Sequence, residues 1–154
     1  TDQLLDEVIT ESLRHISRKH EDYQIDVECE EFILVYMDVR LIIQVLVNLI
    51  DNAIKYTLPG SKICIRGIKK DGQAQISVAD NGPGISDEVK PHIFEMFYTG
   101  NNTIADSHRS LGLGLALCRS IIEAHGGTLM LTDNIPRGCI FTFTLPLSEV
   151  ILNE

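Results

Sequence analysis

The 154-residue sequence predicts an α+β domain, a two-layer α/β sandwich. Three observations point there. Segments 2–19 and 38–57 repeat apolar residues at steps of three and four, the period of a helix with one buried face. Several short β-rich runs alternate with period two, and two of them are joined by Asp71-Gly72, a strong hairpin turn. Helices mixed with antiparallel hairpins bury their apolar faces best as a helical layer on a sheet.

Taken in order, 2–19 places Leu5, Ile9, Leu13 and Ile16 on one stripe, with acids early and bases late, as a helix dipole prefers. Runs 24–29 and 32–37 read as strands split by an acidic turn. Asp38 is placed to cap a second helix that reaches about Thr57 and is stopped by Pro59-Gly60. Strands 61–70 and 73–80 form the hairpin, and Asn81-Gly82-Pro83-Gly84 makes a glycine-rich loop after it. Ser86 is expected to cap a short helical piece ending at His92. Segment 98–111 is polar and aperiodic, which suits either a functional lid or a disordered insertion. A third helix is expected from near Gly112 to Gly126-Gly127, followed by strands 128–132 and 139–145. No repeat or linker divides the chain, so one domain, 1–147, with a tail, 148–154, is expected.

A 44% hydrophobic and 23% charged composition is that of a domain with a real core and excludes a disordered or collagen-like chain. The net charge of −9 disfavours sequence-independent nucleic-acid binding, while a small anionic ligand stays compatible with a local pocket of amides and one Lys. The four cysteines form no C-x-x-C pair, and three sit in apolar runs, so neither a disulfide framework nor a metal cluster is expected. No secretory signal opens the sequence and no apolar run nears the ~20 residues of a membrane span. A soluble intracellular domain is the expectation.

Three features carry chemistry. On the second helix, Asn48, Asn52 and Lys55 share a stripe turned roughly 130° from the apolar one, with Asp51 beside it. Amides and an ammonium on one face suit a hydrated divalent cation and the phosphates it bridges; the alternative is a solvated face. In the strand before the glycine loop, Ala74, Ile76 and Val78 alternate and Asp80 falls on their face. An inward carboxylate needs donors, which an exocyclic amine of adenine or of guanine could supply, or it simply caps the turn at Asn81-Gly82. Finally, Gly82 and Gly84 flank Pro83, and Gly112 and Gly114 are placed to open the third helix, where free amides bind phosphate. As hinges they would bracket a lid.

In their order, these segments resemble the ATP-binding catalytic domain of sensor histidine kinases, within the GHKL ATPase superfamily. The run from Asn48 through Asp51, Asn52 and Lys55 to Thr57 is similar to its N box, and Asp80-Asn-Gly82-Pro-Gly84-Ile85 to its G1 box. Ile93-Phe94-Glu-Met-Phe97-Tyr98 resembles the F box, and Gly112-Leu113-Gly114-Leu115-Ala116 the G2 box; Gly126-Gly127 and 141–146 complete the pattern. The resemblance implies a mixed sheet of about five strands on three helices, with a mobile ATP lid. It implies ATP and Mg2+ as ligands, with Asn52 on the metal, Asn48 near the phosphates and Lys55 on them. Tyr56 would line the nucleotide site or serve as a core aromatic. Asp80 would accept from the adenine amino group, Gly82 and Gly84 would let the chain pass the purine, and Ile85 would pack on it. Gly112, Leu113, Gly114 and Leu115 would face the phosphates. Phe94 and Phe97 would anchor one end of the lid or be plain core. Residues 106–115 with Leu117-Cys118-Arg119 resemble potassium-responsive sensor kinases in particular.

The sequence also departs from the family. Further glycine is usual before Gly112, where Arg109-Ser110-Leu111 stand, and an Arg is frequent beside the second Phe of the F box, where Met96 and Thr99 stand. Arg109 is the candidate replacement cation. ATP hydrolases and serine kinases of the superfamily place a Glu general base four residues before the metal-binding Asn; here that position is Asn48, which takes no proton. A neutral imidazole needs no such base to attack a γ-phosphoryl group. Transfer to histidine is therefore favoured over hydrolysis. Among the five histidines, His15, His20, His92, His108 and His125, none carries the acceptor motif of an acid, Arg and Pro after the His. The acceptor is expected on a helical dimerisation domain before Thr1, in a dimeric, membrane-anchored parent whose cytoplasmic part includes this domain, with a response regulator downstream. The rival reading is a catalytically degenerate binding module; retention of Asn52, Lys55 and Asp80 counts against it.

Overall fold

A computed structural model describes residues 1–16, 23–55, 57–95 and 106–148, the stretch 106–113 by its backbone alone. Three helices lie on one face of a five-stranded sheet. The chain enters as a strand, β1 (Asp2–Leu4), and turns directly into helix α1 (Leu5–Arg14). The helical period over 2–19 predicts the first turn of a longer helix here; instead β1 pairs antiparallel with β3 (Leu34–Tyr36), with Asp2 opposite Tyr36. Backbone partners outweigh local periodicity here, because the Leu5 amide donates to the Ile33 carbonyl at 2.9 Å and fixes the helix start. The end expected near residue 19 lies outside the described residues. The 32–37 run is thus shorter than expected and belongs to a small two-stranded sheet rather than to the main one. Beyond β3, Leu147 makes an isolated bridge to Val35 and the Ser148 amide donates to the Leu34 carbonyl, so the start of the expected tail is tied in.

The main sheet runs β2 (Gln24–Cys29), β4 (Lys62–Lys70), β5 (Gln73–Asp80), β7 (Cys139–Pro146), β6 (Leu129–Asp133), with β2 parallel to β4 and every other pair antiparallel. This is the mixed sheet on three helices that the sequence implied. The α2 helix (Val39–Lys55) packs between α1 and α3 (Asp106–Ala124). Its expected stripe of Ile42, Leu46, Leu49 and Ala53 is buried, and so are Val45, Ile50 and Ile54, because neighbours on both sides widen the covered face. Asp38 caps it, its carboxylate accepting from the Arg40 amide at 3.2 Å. On β4, Gly67 is demanded by packing: a Cβ there would meet Leu5 Cδ2 at 2.8 Å and Cys29 Sγ at 2.9 Å.

Two further boundaries differ from expectation. The piece after Ser86 is a 3-10 turn at Lys90–His92 rather than a helix, with the Ser86 carbonyl accepting from Val89 and Lys90. And α3 begins at Asp106, well before Gly112, since residues 106–111 contain no Pro or Gly to stop a helix. Gly112 and Gly114 are therefore interior to α3, not at its N-terminus. Among the described residues no helix is long and apolar enough to cross a membrane.

Candidate nucleotide site

The strand parity of β5 brings Asp80 inward. Ala74, Ile76, Val78 and Asp80 are all buried, Asp80 at 7% exposed. Its carboxylate is held by three donors: the Gly82 amide to Oδ1 at 2.9 Å, the Cys139 amide to Oδ1 at 3.4 Å and the Cys139 thiol to Oδ2 at 3.2 Å. The turn-capping role foreseen for Asp80 and its burial thus coexist. The backbone is gripped as well, since Asn134 Nδ2 donates to the Asp80 carbonyl at 2.8 Å and Arg137 Nε to that of Asn81 at 3.1 Å. At Gly138, φ is +105° and a Cβ would fall 2.0 Å from the Asp80 carbonyl, so only glycine lets the β6–β7 loop lie against this strand end.

The glycine loop meets the end of α2. A Cβ on Gly82 would lie 2.5 Å from Thr57 Cγ2, and Thr57 is itself buried, its hydroxyl donating to the Ala53 carbonyl at 2.9 Å. Tyr23 donates to the carbonyls of Ile54 and Thr57 and closes this helix end. Contact between Thr57 and Gly82 is what joins the second helix to the loop. Gly84 takes φ +84°, and Ile85 packs half-buried on the core.

Along α2, Asn52 is 5% exposed and its Oδ1 is buried with no hydrogen-bond partner among the described residues. A solvated face, the alternative for this stripe, is excluded for Asn52. Leaving such an acceptor without a donor costs about 1–3 kcal/mol, a cost that a ligand or ion reaching this oxygen would offset. Asn48 is half-buried against α3, where Nδ2 donates to Cys118 Sγ at 3.6 Å and lies 3.8 Å from the position a Cβ would take on Gly114. Burial pushes the Cys118 thiol up to about 11, with the Asn48 amide pulling the other way, so it stays protonated. Lys55 ends α2 half-buried.

Tyr56 lies outside the described residues, as do Met96, Phe97 and most of the expected lid, 98–105. The side chains of Arg109 and Leu113 do too, although both belong to α3. Leu115 is buried at 3% in the core, and its amide, like those of Gly112 and Gly114, is interior to a helix where the ladder engages it. Phe94 stacks edge-on against Phe141 with centroids 6.1 Å apart, and the Arg119 guanidinium sits 5.6 Å from its ring, a core position at the root of the lid segment. The described histidines have ordinary structural duties. His15 pairs with Glu11 and His92 with Glu95, while His125 donates from Nδ1 to the Ile121 carbonyl and accepts the Asp38 amide at Nε2. Cys139, Gly138, Asn134 and the packing of Thr57 were not foreseen as parts of the site. Gly138 after Pro136-Arg137 was the visible signal, a turn glycine abutting a strand.

Comparison with known proteins places this geometry. Residues 37–149 match the family described as histidine kinase-, DNA gyrase B-, and HSP90-like ATPase. Sensor protein KdpD of Clostridium acetobutylicum is 41% identical over 145 residues, 94% of this chain and 16% of that protein, in line with the potassium-responsive resemblance. Adaptive-response sensory kinase SasA of Crocosphaera subtropica is 45% identical over 115 residues, 73% of this chain and 29% of that protein. The chain thus spans less than a third of these relatives. Among solved structures, a mycobacterial sensor histidine kinase MprB has a TM-score of 0.82 at 28% identity, covering 97% of this chain and 99% of that one. The nucleotide-free catalytic domain of histidine kinase ThkA has 0.81 at 33%, covering 95% of each. ThkA has also been solved in complex with the response regulator protein TrrA, with a TM-score of 0.80 at 33% identity over 96% of this chain and 42% of that one. The chain belongs to the histidine kinase-, gyrase B- and HSP90-like ATPase family, as a catalytic domain of the sensor histidine kinase type.

Proposed function

We propose that this domain binds Mg-ATP and donates the γ-phosphoryl group to a histidine on a separate dimerisation domain of its parent sensor kinase, for onward transfer to a response regulator. The parent is proposed to be a dimeric, membrane-anchored sensor with this domain in the cytoplasm. The observation that carries the ligand reading is the partnerless Oδ1 of Asn52, a buried amide oxygen of the hard type that Mg2+ takes, on the family's metal-binding position. Asn52 would hold the ion, with Asn48 and Lys55 directed to the phosphates. An ion held there would supply neutralisation of phosphate charge.

Asp80 would accept from the adenine amino group, Ile85 would pack on the purine, and Gly82 and Gly84 would let the backbone pass beside it. Tyr56 would complete the wall. Phosphate contact by the amides of Gly112, Leu113, Gly114 and Leu115, and by Arg109, requires the first turns of α3 to open, since a helix engages its interior amides. Catalysis is then positioning and charge neutralisation, because the Asn48 amide takes no proton and imidazole attack needs no base here. Hydrolysis of ATP by this residue set is correspondingly disfavoured.

Calorimetric titration with ATP, with and without Mg2+, beside Asn52→Ala tests the reading. Saturable binding that the metal strengthens in the wild type but not in the variant supports it. No heat and no competition at millimolar ATP would reduce the motifs to a scaffold. Phosphate transfer from radiolabelled ATP to the parent's dimerisation domain tests the second half.

A further inference from the structure

We propose that Cys118 is a positioning residue that sets the amide of Asn48: its sulfur accepts from Nδ2 and so leaves Oδ1 for the ligand, where it addresses the water shell of the ion rather than a phosphate oxygen. This rests on the reading of the site as one for Mg-ATP. Cys118 follows Gly114 by one turn of α3, so both look at the same part of α2. Its Sγ takes Asn48 Nδ2 at 3.6 Å, and its own proton is directed to the Val45 carbonyl at 4.0 Å, one turn before Asn48. A Cβ on Gly114 would stand 3.8 Å from Asn48 Cγ and Nδ2 and 3.9 Å from Oδ1, in contact with the whole amide. Glycine therefore leaves that amide uncovered by its own turn of α3.

The two ends of a carboxamide have nearly the same size and opposite roles, one a double donor and the other an acceptor. The partner at one end decides which end faces the other way. A thiol that has aimed its S–H at a carbonyl offers lone pairs on its remaining side, and Nδ2 meets them as a donor. Reversed, the amide would set Oδ1 against those lone pairs, or draw the S–H away from Val45 and make one hydrogen bond where two now stand. Among the described residues Asn48 Oδ1 accepts from no donor. One turn further along the stripe, Asn52 Oδ1 is partnerless as well. The stripe thus offers two amide oxygens a helical turn apart, and Cys118 is the reason that the first is an oxygen. A phosphate oxygen requires a donor and would be served by the reversed amide. Water held on a divalent cation donates its protons and calls for an acceptor.

Hydrogen exchange of side-chain amides, followed by NMR on the ligand-free wild type, tests the orientation and needs no variant. The Asn48 carboxamide protons should exchange more slowly than those of the exposed Asn81, and Cys118→Val should abolish the difference. Equally fast exchange in the wild type would show Nδ2 turned to solvent and overturn the proposal. Titration with ATP reads the consequence. Cys118→Val fills similar space without an acceptor and is expected to weaken ATP by about three- to tenfold with Mg2+ present, while metal-free binding stays within about twofold. Cys118→Ser, whose hydroxyl both accepts and donates, is expected to keep more of the metal enhancement than Cys118→Val. Equal losses with and without the metal would mean that Asn48 donates to phosphate, and an unchanged metal enhancement would leave Cys118 a packing residue; either overturns the proposal. A wild type that binds no ATP would instead remove the nucleotide reading on which the proposal stands.

Discussion

At one end of the candidate site, both oxygens of Asp80 are engaged by protein donors before any ligand arrives; at the other, Asn52 keeps a buried oxygen with none. The end proposed to take the base is built from a strand terminus, a glycine loop and the β6–β7 loop, all cross-bonded. The end proposed to take the phosphates is built from two helices, one carrying its glycines in a closed ladder. The difference teaches how the site divides its work. On the proposed reading, orientation is set in advance where the base would be read, while part of the fold's polar satisfaction is left to the ligand where its charge would be handled. Each of the following measurements presses on that contrast.

The largest effect is expected at the finished end. Asp80→Asn places an amide N–H2 among donors from Gly82 and Cys139, and ATP affinity should fall about 100-fold, in keeping with the roughly 1.5–3 kcal/mol of a hydrogen bond to a charged group. An unchanged dissociation constant would break the comparison at once.

Next comes the joint between the two ends. Gly82→Ala drives a methyl to within 2.5 Å of Thr57 Cγ2, and unfolding in urea should reveal about 1–3 kcal/mol of lost stability. Adding Thr57→Ser, which removes that methyl, should recover part of it. No recovery in the double variant would show that the loop does not lean on α2 through this contact.

At the unfinished end the sign reverses. Asn52→Leu replaces an orphaned acceptor by an apolar group of similar size, so the ligand-free domain should gain about 1 kcal/mol while the metal dependence of ATP binding disappears. A destabilised variant would mean that Asn52 is already satisfied in the absence of ligand.

The smallest effect belongs to the ion pairs at the rim. Lys90 bonds Asp133 at 2.6 Å and Asp87 at 2.7 Å. Its hydrogen bond to Asp133, then that to Asp87, raises Lys90 above its usual 10.5, while Lys90 lowers Asp87 below its usual 3.8. The Lys90 contribution is therefore whole below 10.5 and lost as pH rises through the raised value; that of Asp87 is present above 3.8 and lost as pH falls through the lowered one. Melting of Lys90→Met should trail the wild type by a small constant margin from about pH 5 to 9, and the margin should close in strong alkali.

Much of this was legible in the chain. The α2 stripe, the β4–β5 hairpin and the inward parity of Asp80 rest on periods of 3.6 and 2, and those survive folding because each governs which face is buried. Local signals failed where the partner was distant. Residues 2–4 read as helix yet pair with Tyr36, Val35 and Leu34, and the glycines of α3 read as a helix start yet sit inside one. Thr57 and Cys139 carried no periodic mark of their contacts, because a 2.5 Å approach to Gly82 or a thiol on a carboxylate is a property of two segments at once.

By itself, the sequence determined the elements, the inner face of each and the residue types able to hold a nucleotide and a divalent ion, since backbone sterics and hydrophobic period act over a few residues. Only the tertiary structure decided which of those groups are already satisfied. Hydrogen-bond partnership depends on where remote segments come to rest, and that is why both oxygens of Asp80 already have protein donors while Asn52 Oδ1 has none among the described residues.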